Sequence, residues 1–403
     1  MHIPNHFILL MGPHILLAHK HSVFLLQDLG LNSSVIKKVG DPISSTVGVW
    51  NGETLLHSEG ILLEHALSDL SILLDEGNFL LDLKENYRAR DGEKDGGSFT
   101  SIEAFLKPGR LDRYTSISSD AYFTRQKVSN ETLRDLLEPL QRCIYGQGLS
   151  AHAFSTLVSL TSMVGAGSVS TGNSQLVKAM FSASNANVNL ETRVTRVTRR
   201  PSTTENADDE LEFVLETNTS ETHRCRSVVV AAPIEFTGIE WRGGIDIDPS
   251  TFRKFEDCYV TIVRAQHVNA TFFGLAKASA NVPFNIFTTQ DAFDTMHVPF
   301  TVLQFEERLD NGYNLYKFFS VERIATSTID DIFVSPTVVF EQHWNYTFPV
   351  LKVTDDANGG DFQSIVLSPG VFYLNTMESV ASAMEGSVIA GRNVAELASK
   401  VLL

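Results

Sequence analysis

The residues with the clearest capacity for chemistry lie near the C-terminus. Tyr373, Leu374, Asn375, Thr376, Met377 and Glu378 end an apolar, strand-like run. The residues that follow, Ser379, Val380, Ala381, Ser382, Ala383, Met384, Glu385, Gly386 and Ser387, are nearly all small and open a helix. Small side chains let a flat ligand approach the backbone. A helix N-terminus adds unpaired N–H groups and the positive end of the dipole, which suit a ligand that becomes anionic. An Ala/Ser-rich helix packed tightly on a sheet would have the same composition, so both readings stand.

A second set runs from Ser170 through Thr171, Gly172, Asn173, Ser174, Gln175 and Leu176, a Gly-Asn turn capping a helix. Gly165, Ala166 and Gly167 do not make a dinucleotide fingerprint: they follow helical text, lack the third glycine and open no βαβ unit. There is no G-x-S-x-G elbow, HExxH, P-loop or paired-metal carboxylate signature. His57, His65 and His152 sit in apolar helical text, where packing or surface roles are usual. His14, His19 and His21 have no acidic or thiolate partner nearby. Cys143, Cys225 and Cys258 form no CxxC pair, which excludes a zinc ribbon or thioredoxin-type site.

These residues need a sizeable scaffold to position them. At 403 residues, 43% hydrophobic and 20% charged, the chain suits roughly two or three globular domains. A net charge of −16 with no basic cluster excludes a nucleic-acid partner. The 26 Phe against 9 Tyr and 3 Trp suit a core or a pocket for a greasy substrate. No apolar run reaches the ~20 residues of a membrane-spanning helix. N-x-S/T sequons at Asn32, Asn130, Asn218, Asn269 and Asn345 favour a secretory route weakly.

Periodicity predicts helices over residues 62–74, over a short segment capped by Thr100 and Glu103, over 133–140 with a kink at Pro139, and over 151–163. Residues 88–97 read as a loop. Residues 173–181 read as a helix, and 188–190, 193–197 and 211–216 as strands. Residues 227–233 are small and β-branched, which suits a strand buried on both faces. Segments 259–264, 284–288, 301–305 and 315–321 read as an antiparallel sheet, and 371–374 as a strand leading into a helix over 379–402. The chain therefore leaves one domain, builds a second and returns, and the cleft between such domains is a common ligand site.

Several of these segments resemble the prenylcysteine oxidase (farnesylcysteine lyase) family. They are Arg142, Cys143, Ile144, Tyr145, Gly146 and Gln147; Ala153 and Phe154; Val158, Ser159 and Leu160; and Thr171, Gly172, Asn173 and Leu176. The C-terminal run Tyr373, Leu374, Asn375, Glu378, Ala381–Glu385, Ala390 and Asn393 is its most specific part. The resemblance covers roughly residues 20–400 and implies a mixed α/β, amine-oxidase-like two-domain flavoprotein. Reduced flavin carries its charge near N1 and the adjacent carbonyl, which fits the small-residue helix start.

The implied reaction uses FAD and molecular oxygen to convert farnesyl- or geranylgeranyl-cysteine to cysteine, a prenyl aldehyde and hydrogen peroxide. The resemblance implies Val194 beside adenine and Ala232 and Pro233 beside the ribose. It also places Gly172 and Asn173 toward the flavin, with Glu378, Met384 and Glu385 at its pyrimidine end. Tyr145 and Gln147 become the substrate-facing wall.

The expected organisation is an unmatched segment 1–18, a mainly helical substrate part 19–169, and an FAD-binding part 170–235. A sheet domain 236–365 and a returning strand and helix 366–403 complete it. The family's G-x-G-x-x-G turn would precede everything seen here, so the expectation is a chain lacking that cradle through an incomplete gene model. An inactive fragment, or a chain that binds FAD in an unusual mode, would lack the cradle equally. The family implies lysosome or vacuole, and peripheral membrane contact is compatible with it. A non-catalytic prenyl-lipid binding relative and a different amine-oxidase-like flavoenzyme are the alternative functions.

Overall fold

The computed structural model describes residues 16–17, 36–38, 47–57, 70–91, 97–169, 174–200, 212–276, 282–296, 298, 300–354 and 362–402. A seven-stranded sheet forms the largest layer, in the spatial order Thr337–Pro349, Phe255–Ala265, Asn314–Ser320, Phe300–Arg308, Asn285–Thr288, Val47–Trp50 and Leu55–His57. Neighbours are antiparallel except Asn285–Thr288 with Val47–Trp50, which run parallel. The expected antiparallel segments are all present. Val47–Trp50 enters from far upstream, and its Trp50 is 1% exposed among Phe272, Phe273 and Phe300. Burying an aromatic of this size contributes about 1.5–3 kcal/mol over leaving it exposed.

The helices Leu70–Asp91, Glu138–Tyr145, Ala153–Gly165 and Met384–Leu402 pack through Phe79, Leu140, Leu157, Ala390 and Val394. Residues 88–91 belong to the first of these helices rather than to a loop. Arg90 reaches the carbonyl oxygens of Gly97, Ala104 and Phe105 and lies over the Phe99 ring, so a charged helix end is tied down without apolar periodicity. Residues 62–69 lie outside the described residues. The cap of Ile102–Leu106 is Ser101, one residue later than the predicted box, and its hydroxyl accepts from Ala104 N. Before Pro139 the chain widens into a π-turn over Leu133–Leu137, the kind of distortion expected where proline cannot donate an N–H.

A four-stranded sheet is ordered Glu240–Arg242, Val194–Arg200, Glu212–Thr217 and Thr222–Cys225. Residues 188–190 are not a strand: Val188 and Leu190 are 47% and 80% exposed, with no neighbour strand to pair with among the described residues. The three-stranded sheet Val366–Ser368, Val371–Tyr373 and Val228–Val230 corrects another expectation. Val228–Val230 is its edge strand, with Val229 45% exposed, rather than a strand buried on both faces. The last helix begins at Met384 and not at 379, because Asn375–Ser379 closes into a 3-10 turn first. Among the described residues no helix is long and apolar enough to cross a membrane.

Candidate functional site

A cavity of about 450 Å³ opens where the C-terminal end of the Glu138–Tyr145 helix meets the seven-stranded sheet. Its wall combines Arg142, Gln147, Glu256, Gln290 and Lys352 with Ala151, Phe293, Val321, Leu351 and Val353. The volume lies within the range of small-molecule sites. Gly146 stops the helix at φ 66°, a left-handed conformation that glycine adopts without strain, and donates its N–H to Arg142 O. The chain can then turn to place Gln147 in the wall.

Gln147 and Tyr145 occupy different positions. The Gln147 side chain donates from Nε2 to Pro349 O at 3.0 Å and accepts at Oε1 from Leu351 N at 2.8 Å. It therefore pins the wall loop to the end of the edge strand. Tyr145 does not line the cavity: it is fully buried against Phe348, Ala151 and Leu351. Its hydroxyl has no hydrogen-bond partner among the described residues, and burial pushes its pKa up.

Arg142 is 4% exposed. It donates from Nη1 to Gln290 Oε1, while Nε and Nη2 have no partner among the described residues. Burial lowers its pKa, with Glu138 and Asp294 pulling the other way. Glu138 accepts from Gln290 N at 3.0 Å, and burial raises its own pKa. Glu256 is likewise pushed up, by burial and then by Asp257.

The second part of the site lies at the carboxyl ends of two parallel strands. Val371–Tyr373 pairs in register with Val228–Val230, and Leu374 N extends the ladder to Val230 O at 3.0 Å. Ligands of open α/β sheets bind at such strand ends. Ala231 and Ala232 are exposed there and Pro233 is half-buried. On the other strand Asn375 donates from Nδ2 to Glu378 Oε1 at 2.8 Å, and its buried Oδ1 has no partner among the described residues. Burial raises the Glu378 pKa, against the Asn375 hydrogen bond and the Arg253 charge.

Arg253 joins this strand end to the large sheet. It donates from Nε to Glu235 Oε1 at 2.8 Å, from Nη1 to Asn375 O at 2.8 Å and from Nη2 to the Tyr373 hydroxyl at 2.6 Å. His152, beside Ala151 of the cavity wall, donates from Nε2 to Ser379 O at 3.1 Å. Burial lowers its pKa to about 4, so the ring is neutral. It is a packed histidine that links the two parts of the site.

The small-residue stripe serves partly for packing. Ala381 and Ala383 are buried in the helical core, and a Cβ on Gly386 would stand 3.2 Å from Ala381 O. Met384 is half-buried as the first residue of its helix, where first-turn N–H groups lack intrahelical partners. Glu385 is 3% exposed, and its charge helps to raise the pKa of Tyr87, placing it toward the helical layer. Val194 begins its strand half-buried against the Val197 and Phe213 cluster. Gly172 and Asn173 lie outside the described residues.

Sequence alone gave neither Arg142 nor Arg253 a role in the site. A charged residue one turn before a helix-ending glycine was an available signal for Arg142. Arg253, Glu235 and Glu378 are too far apart in sequence to leave one. Of the sequons, Asn130, Asn218 and Asn345 are exposed and Asn32 lies outside the described residues. Asn269 is half-buried, caps a turn through Oδ1 and donates from Nδ2 to Asp331 O.

The prenylcysteine lyase family profile matches residues 86–402, a span that includes the cavity wall and both parallel strands. The chain belongs to the prenylcysteine lyase family. Farnesylcysteine lyase of Arabidopsis thaliana is 23% identical over 88% of this chain and 70% of its own length. Prenylcysteine oxidase 1 of Bos taurus is 27% identical over 94% and 76%, and its Homo sapiens counterpart 25% identical over the same shares. Among solved structures, a CLA-producing fatty acid isomerase from P. acnes superposes with a TM-score of 0.59 at 11% identity, covering 94% of this chain and 85% of that one. A putrescine oxidase redesigned in cofactor binding gives 0.51 at 11% identity, covering 95% and 85%. These two likenesses show the amine-oxidase-like fold in this prenylcysteine lyase family member. The exposed strand ends, the unsatisfied Asn375 Oδ1 and the small-residue helix start fit a flat cofactor with polar edges.

Proposed function

We propose that this chain oxidises the thioether carbon of farnesyl- or geranylgeranyl-cysteine, with FAD as cofactor and oxygen as final acceptor. The family match carries the reading, because it takes in both the cavity and the strand ends beside it. When bound, FAD supplies the two-electron acceptor for hydride leaving the allylic carbon, whose developing positive charge is shared by sulfur and the double bond. One prenylcysteine, one water and one oxygen then yield one prenyl aldehyde, one cysteine and one hydrogen peroxide.

In this reading the chain's own residues bind and orient. Phe293, Val321, Leu351 and Val353 give the prenyl chain an apolar wall. Ala232, Pro233, Asn375, Glu378 and Met384 would hold the cofactor, with Val194 toward its adenine. Gln147 keeps the wall loop in place, and the neutral His152 keeps the wall at a fixed distance from the turn at Ser379. Such positioning is a large part of what a cofactor enzyme contributes. The exposed sequons Asn130, Asn218 and Asn345 support passage through a secretory route, with lysosome or vacuole as the proposed destination.

The test is the absorption spectrum of the purified chain with added FAD. Flavin bands that bleach on anaerobic addition of farnesylcysteine and return in air with release of hydrogen peroxide are expected. A folded, FAD-loaded chain that leaves farnesylcysteine unchanged would overturn the reading.

A further inference from the structure

Among the described residues of the cavity wall, Arg142 brings a buried cation with unused hydrogen-bonding capacity. A guanidinium carries five N–H donors in a rigid fork. Here Nη1 is engaged by the neutral amide oxygen of Gln290, and Nε and Nη2, adjacent on one edge of the fork, have no partner among the described residues. Leaving such donors unsatisfied in a protein interior is costly, and a carboxylate meets that edge with two parallel hydrogen bonds.

Three features narrow the ligand. Arg142 and Gln290 both line the cavity, and the guanidinium must turn to bring its buried free edge to an occupant. Gln290 also donates from Nε2 to Asp294 Oδ1 at 2.9 Å, so it can keep a partner when Nη1 is taken. Glu256 in the same wall disfavours a multiply charged anion such as a phosphate, and Phe293 and Leu351 provide an apolar surface beside the charged one.

We propose that Arg142 recognises the α-carboxylate of the cysteinyl end of the substrate and so selects S-alkylated cysteine with a free carboxylate over its esters and over peptides extended at the carboxyl end. The inference rests on the prenylcysteine reading above. It goes further by assigning the residue and the group that decide which end of the substrate is read.

The experiment compares farnesylcysteine with its methyl ester, using anaerobic calorimetry and steady-state turnover on the full chain with added FAD. The wild type is expected to bind the acid at least about 30-fold more tightly than the ester, the scale of losing charge-assisted hydrogen bonds. Arg142→Gln should abolish that preference by weakening the acid alone, with ester binding held within about threefold. Arg142→Lys, which keeps the charge but not the fork, should fall between. Gln290→Glu sets a carboxylate of the chain itself against the guanidinium and should weaken the acid at least about tenfold. If Arg142→Gln does not fold, the wild-type acid-to-ester ratio and Gln290→Glu carry the test.

Equal binding of acid and ester by the wild type, a preference that survives Arg142→Gln, or unchanged acid affinity in Gln290→Glu would each overturn the proposal. An acid preference without turnover would support the carboxylate site and refute the oxidase reading alone. Turnover without an acid preference would do the reverse, and no binding of either compound would overturn both.

Discussion

Replacing Arg253 by Met removes the cation from a pair whose side chains are 9% and 3% exposed, leaving Glu235 as a buried carboxylate. The arginine donates to Glu235, Asn375 O and the Tyr373 hydroxyl, so three groups lose their donor together. Removing one partner of a buried ion pair costs about 3–5 kcal/mol, a large share of the roughly 5–15 kcal/mol that holds a domain folded. Urea unfolding followed by circular dichroism measures it. The paired variant Glu235→Leu with Arg253→Met removes the Glu235 charge as well, leaving only the partly exposed Glu378 without its cation at 3.6 Å, and is expected to be closer to the wild type than Arg253→Met alone.

Acidity supplies an independent check. Burial pushes the Glu235 carboxyl up, but hydrogen bonds and charge from Arg253 outweigh it and hold the pKa below the ordinary value. A depressed carboxyl pKa adds stability above its unfolded value, and that stability is lost as pH falls through the folded value. In Arg253→Met only backbone N–H groups, such as that of residue 253 at 3.1 Å from Glu235 Oε1, still oppose burial, so the folded pKa moves up and the variant loses less stability than the wild type as the pH falls. The gap between wild type and variant should therefore narrow from about pH 7 to about pH 4. A loss below about 1 kcal/mol, or a gap that does not change with pH, would refute the reasoning.

Tyr145→Phe deletes a buried hydroxyl that has no partner among the described residues; stability should be equal or slightly higher and turnover unchanged, whereas a large fall in kcat would show that the hydroxyl takes part in chemistry. Gln147→Ala removes the acceptor of Leu351 N and the donor to Pro349 O. It should destabilise the chain by about 1–3 kcal/mol, read from the urea midpoint. Gly109→Ala meets two obstacles, a φ of 74° and a Cβ only 2.2 Å from Asp82 O. The loss should exceed the ~1 kcal/mol typical of glycine replacement at positive φ, and a thermal midpoint equal to wild type would contradict the packing described.

Phe300–Arg308 and Asn314–Ser320 were legible in the sequence because they are rich in aromatic and β-branched residues, although each is buried along a continuous run rather than alternately. Thr337–Pro349 was not. It is the longest strand of its sheet but lies at the edge, where His343, Trp344 and Asn345 are exposed and no alternation is required. Val228–Val230 misled in the opposite sense: three valines suggest burial on both faces, but the strand has a neighbour on one side only. Around the site, Asn375, Glu378 and Met384 were legible as a group because they are close in sequence. Arg253 with Glu235, and Arg142 with Gln290, are joined only by the fold, and isolated charges in a sequence do not disclose their partners.

The late position of the Met384–Leu402 helix affects how the protein is made. Its Ala390, Val394 and Leu397 fill the same core as Phe99 and Phe105, and Asn393 brackets the backbone of Phe99 through both ends of its amide. The helices around Phe99 must therefore leave the ribosome without the element that covers them and wait for a partner 294 residues further along the chain. Contacts of such sequence separation form slowly. The nascent chain thus presents a greasy, unfinished surface while that stretch is synthesised, the condition in which chaperones act. Emergence of the Met384–Leu402 helix becomes the event that commits the rest of the helical layer to its final packing.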